Sequence, residues 1–552
     1  MGITRIEHLT HVVTVDEGFT ILEDATIEIT DGVLTAVGSA VGSALGSAVG
    51  TAQGGAGAGA GEGRLVEEVT VIDGRGKLAL PGLVNLHTHL PMTLLRGLAE
   101  NVDLQGFLTK VWVAEGAVMD PDTVRLGAEL GALESLLAGV TTTLDMYFHH
   151  EQAHKGALLT GARHVGGPVF FDGPGPDGLS WGERMDLLAA WPTRLAEIHA
   201  SYAAALAPEP AAAYADTAAH GGTAAYGATA QGGRPGLTTV QGGRTGLTTA
   251  PVVPAAAMPH STYTCSPEHL REIAEVMSTW PVESRPLVHV HASENAAENA
   301  DVLARHGATP VRILADAGLL STEWMFWGHQ TPQNIHSAGS AGSAGGAGSA
   351  RSAVVRTVLG HGVHLTEADR ALIARAGATD PAVIAHCPGS NLKLASGALP
   401  WQTYRDAGIR LGLGTDGCSS SNDLDLWQTM RQAALLARLT SGDPTAAPAV
   451  EIIRAATIEG ARALGLDDLI GSLEVGKQAD LVLLDLHAPH LTPAHDIAAL
   501  LVFAAGRGDV TDVFVDGRHV VQDRRSTLID TGDLLSRARQ RGEVAAAAAK
   551  DA

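Results

Sequence analysis

Residues 81–89 read Pro-Gly-Leu-Val-Asn-Leu-His-Thr-His, an apolar run of strand length that ends in two histidines. Because side chains alternate between the two faces of a strand, His87 and His89 point to the same side. Two imidazoles in this arrangement can bind one metal ion of the zinc type. The pair alone is weak evidence, since a chain with 24 histidines contains His-x-His pairs by chance.

A second His-x-His pair lies in residues 287–294, which read Leu-Val-His-Val-His-Ala-Ser-Glu. Either His289 or His291 can supply an imidazole at the end of this apolar run. Glu294 follows with a carboxylate that can carry protons beside a metal. A histidine at a strand end is more often structural, so this run also needs support from its neighbours.

Two more apolar runs complete the pattern. Residues 359–364, Leu-Gly-His-Gly-Val-His, contain His361, and residues 411–417, Leu-Gly-Leu-Gly-Thr-Asp-Gly, contain Asp416. Barrels of parallel strands place active-site residues at the carboxyl ends of those strands. The order and positions of the four runs together predict a metal-dependent active site.

Strand-like and helical patterns alternate through the middle of the chain. The strand-like runs are 81–86, 140–145, 287–291, 383–386 and 409–414, and the helical patterns include 121–138, 266–278 and 366–377. This alternation predicts an α/β fold with a parallel barrel. The ends of the chain are rich in strand patterns instead, at 10–15, 26–30, 69–73, 479–485 and 513–517. They predict one small sheet domain built from both ends.

Composition narrows the functional classes. The net charge of −23 repels phosphate backbones, so nucleic acid is not an expected partner. The three cysteines have no C-x-x-C spacing, and neither a secretory leader nor an apolar stretch of about 20 residues is found, so we expect a cytoplasmic protein without a membrane span. Segments 38–62, 203–257 and 337–350 are rich in Ala and Gly and are predicted to be flexible insertions.

Longer motifs identify a resemblance. The motifs are residues 81–97 (Pro-Gly-Leu-Val-Asn-Leu-His-Thr-His-Leu-Pro-Met-Thr-Leu-Leu-Arg-Gly), 139–142 (Gly-Val-Thr-Thr), 145–149 (Asp-Met-Tyr-Phe-His), 259–267 (Pro-His-Ser-Thr-Tyr-Thr-Cys-Ser-Pro), 386–394 (His-Cys-Pro-Gly-Ser-Asn-Leu-Lys-Leu), 414–417 (Gly-Thr-Asp-Gly) and 471–480 (Gly-Ser-Leu-Glu-Val-Gly-Lys-Gln-Ala-Asp). In these the chain resembles the amidohydrolase superfamily. Within it, the chain resembles specifically the branch of methylthioadenosine/S-adenosylhomocysteine deaminases and triazine chlorohydrolases.

The resemblance implies a (β/α)8 TIM-type barrel with a composite β-sandwich made by the N- and C-terminal segments. The expected boundaries are 1–75 for the first part of the sandwich, 76–465 for the barrel, 466–530 for the second part of the sandwich and 531–552 for a C-terminal helix or tail. It also implies a small-molecule substrate, and relatives of this kind commonly form homo-oligomers.

The same resemblance implies one divalent metal, usually zinc with Fe2+ as the alternative, bound by His87, His89, His291 and Asp416. Relatives with two metals bridge them with a carboxylated lysine on a middle strand. The corresponding run, residues 144–148, contains no lysine, which favours one metal.

The implied reaction is hydrolytic deamination. The metal lowers the pKa of a water molecule, and Asp416 accepts its proton. His361 orients the nucleophile and stabilises the developing oxyanion. Glu294 carries a proton to the ring nitrogen of the substrate, and ammonia leaves.

The implied substrate is an aminated purine nucleoside of the adenosine, 5′-methylthioadenosine or S-adenosylhomocysteine type. Glu115 and His260 match residues that hold the ribose, Ser420 matches a pocket serine, and Arg184 matches one of two arginines that bind the homocysteine carboxylate. Pro168 occupies the position of the other arginine, and Phe107 that of a pocket tryptophan. These departures favour a neutral 5′ group. The alternative is an enzyme acting on another aminated or chlorinated N-heterocycle, of the triazine or guanine type.

Overall fold

A computed structural model describes residues 2–38, 68–102, 104–173, 175–206, 251–320, 355–379 and 382–548. The predicted insertions 38–62, 203–257 and 337–350 lie almost wholly outside these residues. Where their margins are described, Gly38 ends a strand, residues 203–206 continue a helix, and Ala256 begins another strand. These particular residues therefore belong to regular elements, and the flexibility predicted for most of the three segments concerns residues that the structure does not describe.

The strands are β1 (Gly2–Val13), β2 (Ile21–Thr30), β3 (Val33–Gly38), β4 (Glu68–Asp73), β5 (Lys77–Pro81), β6 (Leu83–Thr88), β7 (Val140–Asp145), β8 (Arg163–Val165), β9 (Val169–Phe170), β10 (Ala256–Pro259), β11 (Leu287–Ala292), β12 (Arg356–His361), β13 (Ala382–His386), β14 (Arg410–Leu413), β15 (Leu481–Asp485), β16 (Val510–Val515), β17 (Arg518–Gln522) and β18 (Arg525–Ser526). The helices are α1 (Leu104–Val118), α2 (Pro121–Leu137), α3 (His150–Leu159), α4 (Trp181–Leu206), α5 (Pro267–Met277), α6 (Ala296–His306), α7 (Pro310–Asp316), α8 (Glu367–Thr379), α9 (Pro388–Lys393), α10 (Trp401–Asp406), α11 (Leu426–Ser441), α12 (Ala449–Ala455), α13 (Ile458–Leu464), α14 (Ile497–Phe503) and α15 (Thr531–Ala548). Short 3-10 turns cover Leu90–Leu95, Val282–Ser284, Pro489–Leu491 and Arg507–Asp509.

The two ends of the chain meet in one nine-stranded sheet. Its order is β18-β17-β16-β15-β5-β1-β2-β3, with β4 paired to β1. The junction is the antiparallel pair β15–β5, in which Leu481 lies opposite Pro81. At the β2–β3 hairpin, Asp31 and Gly32 both have positive φ (49° and 86°), as a tight turn matched to strand twist requires.

The middle of the chain forms two all-parallel ladders, β6-β7-β8 and β9-β10-β11-β12-β13-β14. Most of these strands are buried on both faces, which explains their continuous apolar sequence. Past the end of β14, the backbone N–H of Asp416 donates to the carbonyl of His87 at 2.9 Å. The last parallel strand therefore lies beside the first, and an α/β fold with parallel strands is the observed architecture.

The helical patterns predicted at 121–138 and 266–278 agree with the observed helices α2 and α5. Asp120 and Ser266 cap α2 and α5 with their side chains, and a proline follows each cap. Helix α4 was not predicted, and it contains Pro192 in its interior. Among the described helices, none is long and apolar enough to cross a membrane.

Candidate active site

Five buried side chains converge where the parallel strands end. His87 lies in β6 and His89 follows directly after it, His291 comes from β11, His361 from the end of β12, and Asp416 follows β14. The Asp416 Oδ1 atom lies 3.4 Å from His87 Nε2 and 3.2 Å from His89 Nε2. Two sets of three place their donor atoms within 4.8 Å of one another, His87/His89/Asp416 and His87/His291/His361. His87 is common to both sets and lies at the centre of the cluster.

The far side of each ring in this cluster is anchored. His89 Nδ1 lies 2.6 Å from the carbonyl oxygen of Met146, and His291 Nδ1 lies 2.7 Å from that of His260. A carbonyl only accepts, so both Nδ1 atoms carry the proton and donate it. Each of these two rings therefore turns its Nε2 atom toward the cluster, as in histidines that ligate metals.

Charge in the cluster has to be balanced, because a buried carboxylate faces imidazole lone pairs. Although burial opposes it, Asp416 raises the pKa of His89 to about 9, and His87 and His89 hold the pKa of Asp416 well below its usual range. Burial lowers the pKa of His87 to about 4. A positive charge, either a proton or a metal ion, is therefore favoured between Asp416 and the two rings.

The donor set fits a metal ion. His87 Nε2 is fully buried and has no hydrogen-bond partner, although it points into the cluster. Such an orphaned acceptor is costly unless a cation binds it. Three or four imidazole nitrogens with one carboxylate oxygen match the ligands that zinc takes in catalytic sites.

Glu294 lies next to this cluster, beside His361. The Glu294 Oε2 atom is 3.8 Å from His361 Nε2, and Ser396 Oγ donates to Glu294 Oε1 at 3.4 Å. Burial raises the pKa of Glu294, which favours the protonated carboxyl. His361 Nδ1 donates to Asn391 Oδ1 at 3.0 Å, so its Nε2 faces Glu294 and Asp416.

A cavity opens from this cluster, and about 640 Å³ of empty space, including its opening to solvent, lies between its walls. Its apolar wall consists of Met92, Phe107, Leu108, Val111, Trp112, Met146, Phe148, Val169, Phe171 and Leu394. Phe107 does line the cavity, and Trp112, which the sequence analysis did not single out, supplies a tryptophan at its rim, where it is 40% exposed.

Two predicted ribose-binding residues also line the cavity. Glu115 is buried, and Tyr147 Oη donates to its Oε1 atom at 2.7 Å. Burial raises the pKa of Glu115 to about 7. His260 stacks on Phe171 with ring centroids 4.7 Å apart. Sequence reasoning missed the Tyr147 contact, although Tyr147 stands within the 145–149 motif.

The other two predicted substrate-binding residues do not line the cavity. Arg184 is buried and donates to Asp177 Oδ2 at 2.9 Å and to the Val169 carbonyl at 2.8 Å. Ser420 Oγ donates to the Gly417 carbonyl at 3.0 Å. Among the described residues that line the cavity there is no lysine or arginine.

Comparison with known proteins gives a consistent result. The amidohydrolase family profile matches residues 78–520. A 5-methylthioadenosine/S-adenosylhomocysteine deaminase of Desulforudis audaxviator is 33% identical over 471 residues, which are 85% of this chain and 86% of that protein. The corresponding protein of Symbiobacterium thermophilum is 34% identical over 473 residues, covering 85% and 87%.

Solved structures of an adenosine deaminase and an atrazine chlorohydrolase are also similar to this chain. An adenosine deaminase from Xanthomonas campestris with bound zinc is 30% identical, covers 98% of both chains and superposes with a TM-score of 0.74. A zinc complex of atrazine chlorohydrolase from Arthrobacter aurescens covers 98% of this chain and 100% of its own, with a TM-score of 0.68 at 23% identity, a likeness of fold alone.

Proposed function

The chain belongs to the amidohydrolase family, and on that premise we propose that it is a metal-dependent deaminase of purine nucleosides. It is a hydrolase that cleaves the C–N bond of an exocyclic amino group on an adenine-type ring and releases ammonia. The observation that carries the proposal is the convergence of four histidines and Asp416 beside a buried Glu294, where a cavity with aromatic walls opens.

The proposed architecture is a (β/α)8 barrel of residues 76–465 with a composite β-sandwich from 1–75 and 466–530, followed by a C-terminal helix in 531–552. Contact between the strand ends of β14 and β6 supports closure of the barrel. The pairing of β15 with β5 supports a terminal domain built from both ends of the chain.

We propose one divalent ion, zinc rather than Fe2+, held by His87, His89, His291 and Asp416. Zinc in the Xanthomonas deaminase and the donor set of this chain support the assignment. When bound, such an ion supplies a Lewis acid that lowers the pKa of a water molecule toward neutrality. His361 Nε2 lies 3.9 Å from Asp416 Oδ2 and 3.8 Å from Glu294 Oε2, and we propose that it hydrogen-bonds the attacking water rather than binding the ion.

Side chains of the site carry out the proton transfers of the proposed reaction. Asp416 accepts the proton of the attacking water, because its low pKa keeps it ionised and His361 lies beside it. His361 stabilises the negative charge that develops on the attacking oxygen. Glu294, favoured in its protonated form, donates to the ring nitrogen and so makes the ring carbon electrophilic.

The sugar is held by Glu115 and His260 on the wall of the cavity. Because Asp177 neutralises Arg184 away from the lining, we propose a nucleoside with a neutral 5′ group, as in adenosine or 5′-methylthioadenosine. Arg184 and Ser420 remain predicted substrate-binding residues whose side chains would have to reorient. Three buried free thiols support a reducing compartment, in keeping with a cytoplasmic enzyme.

A second candidate is hydrolysis of another aminated or chlorinated heterocycle, since the aromatic wall of the cavity would also accommodate a triazine or guanine ring. A panel of adenosine, 5′-methylthioadenosine, S-adenosylhomocysteine, guanine and a chlorotriazine separates the two. Turnover of an adenine nucleoside, followed as the ultraviolet shift to the hypoxanthine product, supports the first. Turnover of the other rings alone supports the second.

Glu294→Gln tests the proposed mechanism. Turnover should fall by about 10²- to 10⁴-fold because an amide cannot deliver the proton, whereas metal content, measured by atomic absorption, should not change. Glu275→Gln, the same change at an exposed position of α5, is the matched control. Full activity of Glu294→Gln would remove Glu294 from the mechanism.

A further inference from the structure

His289 lies directly behind His87, on the side away from the cavity. Its Nε2 atom is 2.6 Å from His87 Nδ1, and its own Nδ1 atom is 3.0 Å from the carbonyl oxygen of Val358 on the neighbouring strand. The ring is completely buried. From sequence, His289 and His291 were equivalent candidates for one ligand position, but only His291 lines the cavity.

The hydrogen bonds of His289 determine where its proton lies. The Val358 carbonyl can only accept, so His289 Nδ1 must carry a hydrogen. In a neutral ring the other nitrogen, Nε2, then has a lone pair. That lone pair accepts from His87 Nδ1, because a bond of 2.6 Å requires exactly one hydrogen between the two nitrogens.

The tautomer of His289 determines the tautomer of His87 in the cluster. With its proton on Nδ1, neutral His87 has a bare Nε2, the buried atom without a hydrogen-bond partner at the centre of both donor sets. Val358, His289 and His87 thus form a chain whose hydrogen bonds run in one direction. It prepares the tautomer of His87 that a metal ion requires.

We propose that His289 is a positioning residue, which fixes the tautomer and ring orientation of His87 and thereby sets the metal affinity of the site. This inference rests on the proposed function, in which the site holds a divalent ion. Metal-ligating histidines commonly donate to a carboxylate, a carbonyl or water. Here a neutral imidazole takes that place, so the ring is anchored without adding a second buried negative charge.

The test compares variants of His289 that keep or lose the acceptor. Gln can accept from His87 Nδ1 with its amide oxygen and donate to Val358 with its amide nitrogen, whereas Leu can do neither. Zinc affinity of the purified metal-free full-length protein is measured by competition with a chromophoric chelator. We expect His289→Leu to bind zinc about 10- to 100-fold more weakly than the wild type, and His289→Gln to restore most of that loss.

Controls separate this inference from general damage and from the proposed function. His154→Leu removes another fully buried imidazole, away from the cavity, and should leave zinc affinity unchanged. If His289→Leu does not fold, His289→Phe provides a ring without an acceptor. Wild-type affinity in a folded Leu or Phe variant, or equal losses in the Gln and Leu variants, would overturn the positioning role. Absence of zinc binding in the wild type would instead overturn the proposed metal site.

Discussion

Ser293, the residue before Glu294, has an unusual backbone conformation. Its backbone is left-handed (φ 53°), a conformation that non-glycine residues rarely adopt, and His361 and Asp416 share it with φ of 67° and 63°. Such strain persists where neighbouring groups hold it in place. At Ser293 the neighbour is Glu298 of α6, whose carboxylate accepts from Ser293 N at 3.0 Å and from Glu294 N at 2.7 Å.

Glu298→Gln should therefore misplace Glu294. An amide has only one accepting oxygen, so one of the two backbone N–H groups loses its partner and meets an NH2 group instead. We expect kcat for adenosine to fall by about 10- to 100-fold, the scale of an ångström-sized displacement of a catalytic group, with little change in zinc content. Steady-state kinetics and metal analysis measure both quantities.

The control for this variant is Glu268→Gln. Glu268 is also an acid in the first turn of a helix, α5, but its side chain is 69% exposed. It should retain wild-type kcat. Equal activity in the wild type, Glu298→Gln and Glu268→Gln would show that the Glu298 carboxylate does not position Glu294.

The sequence predicted which histidines and carboxylates come together better than it predicted which residues line the cavity. His87, His89, His291, His361, Asp416 and Glu294 follow apolar strands, and strand ends that share one edge must meet, so local sequence is sufficient to bring them together. The sequence could not distinguish His289 from His291 by alternation alone, because both face the same side. Depth along the strand separates them, and depth depends on neighbouring strands.

Among the helices too, some could be predicted from local sequence and others could not. Helices α2 and α5 were predicted nearly to the residue because capping side chains and prolines are local signals. Helix α4 was missed, since its interior Pro192 argues against a helix when packing is unknown. Its position beside α3 and β8 also creates a contact that no local pattern reveals.

That contact is a chain of three histidines, one each from α3, β8 and α4. His154 Nδ1 lies 2.9 Å from His164 Nδ1, and His154 Nε2 lies 2.9 Å from His199 Nε2. The chain ends at Asp145, 3.1 Å from His164 Nε2. Burial lowers the pKa of His154 well below its ordinary value and that of His199 to about 4.

Acid should destabilise this group of elements. Histidines whose pKa is lower in the folded state bind more protons when unfolded, so they favour folding above about pH 6.5 and lose that contribution as the pH falls toward 4. We expect His154→Gln, which retains hydrogen-bonding groups but does not titrate, to lose less unfolding free energy than the wild type between pH 6.5 and 4. Urea denaturation at each pH measures the difference.

His495→Gln, a change at an exposed histidine, should leave the pH dependence of the wild type intact. The same pH dependence in wild type and His154→Gln would mean that the buried chain does not contribute to acid sensitivity.

At the scale of the whole molecule, the terminal sheet and the parallel strands are joined by a buried ion pair. Arg163 of β8 donates to Asp480 at 3.2 Å from Nε and 3.0 Å from Nη2, and both side chains are almost inaccessible. Asp480 also accepts from the backbone N–H of Asp516 at 2.7 Å. The sequence predicted that the two ends form one sheet, but not the residues that fasten this sheet to the strands.

Asp480→Asn should weaken the whole fold rather than one end of it. The change leaves the Arg163 guanidinium buried without a carboxylate, and breaking a buried pair in this way costs about 3 to 5 kcal/mol of unfolding free energy. The exposed pair Arg285–Asp468 provides the comparison, because Asp468→Asn should cost about 1 kcal/mol or less.

Urea unfolding followed by both circular dichroism and tryptophan fluorescence should give one shifted transition for Asp480→Asn. Two separate transitions would mean that the terminal sheet unfolds on its own, and a cost no larger than that of Asp468→Asn would mean that the Arg163 contact does not fasten it.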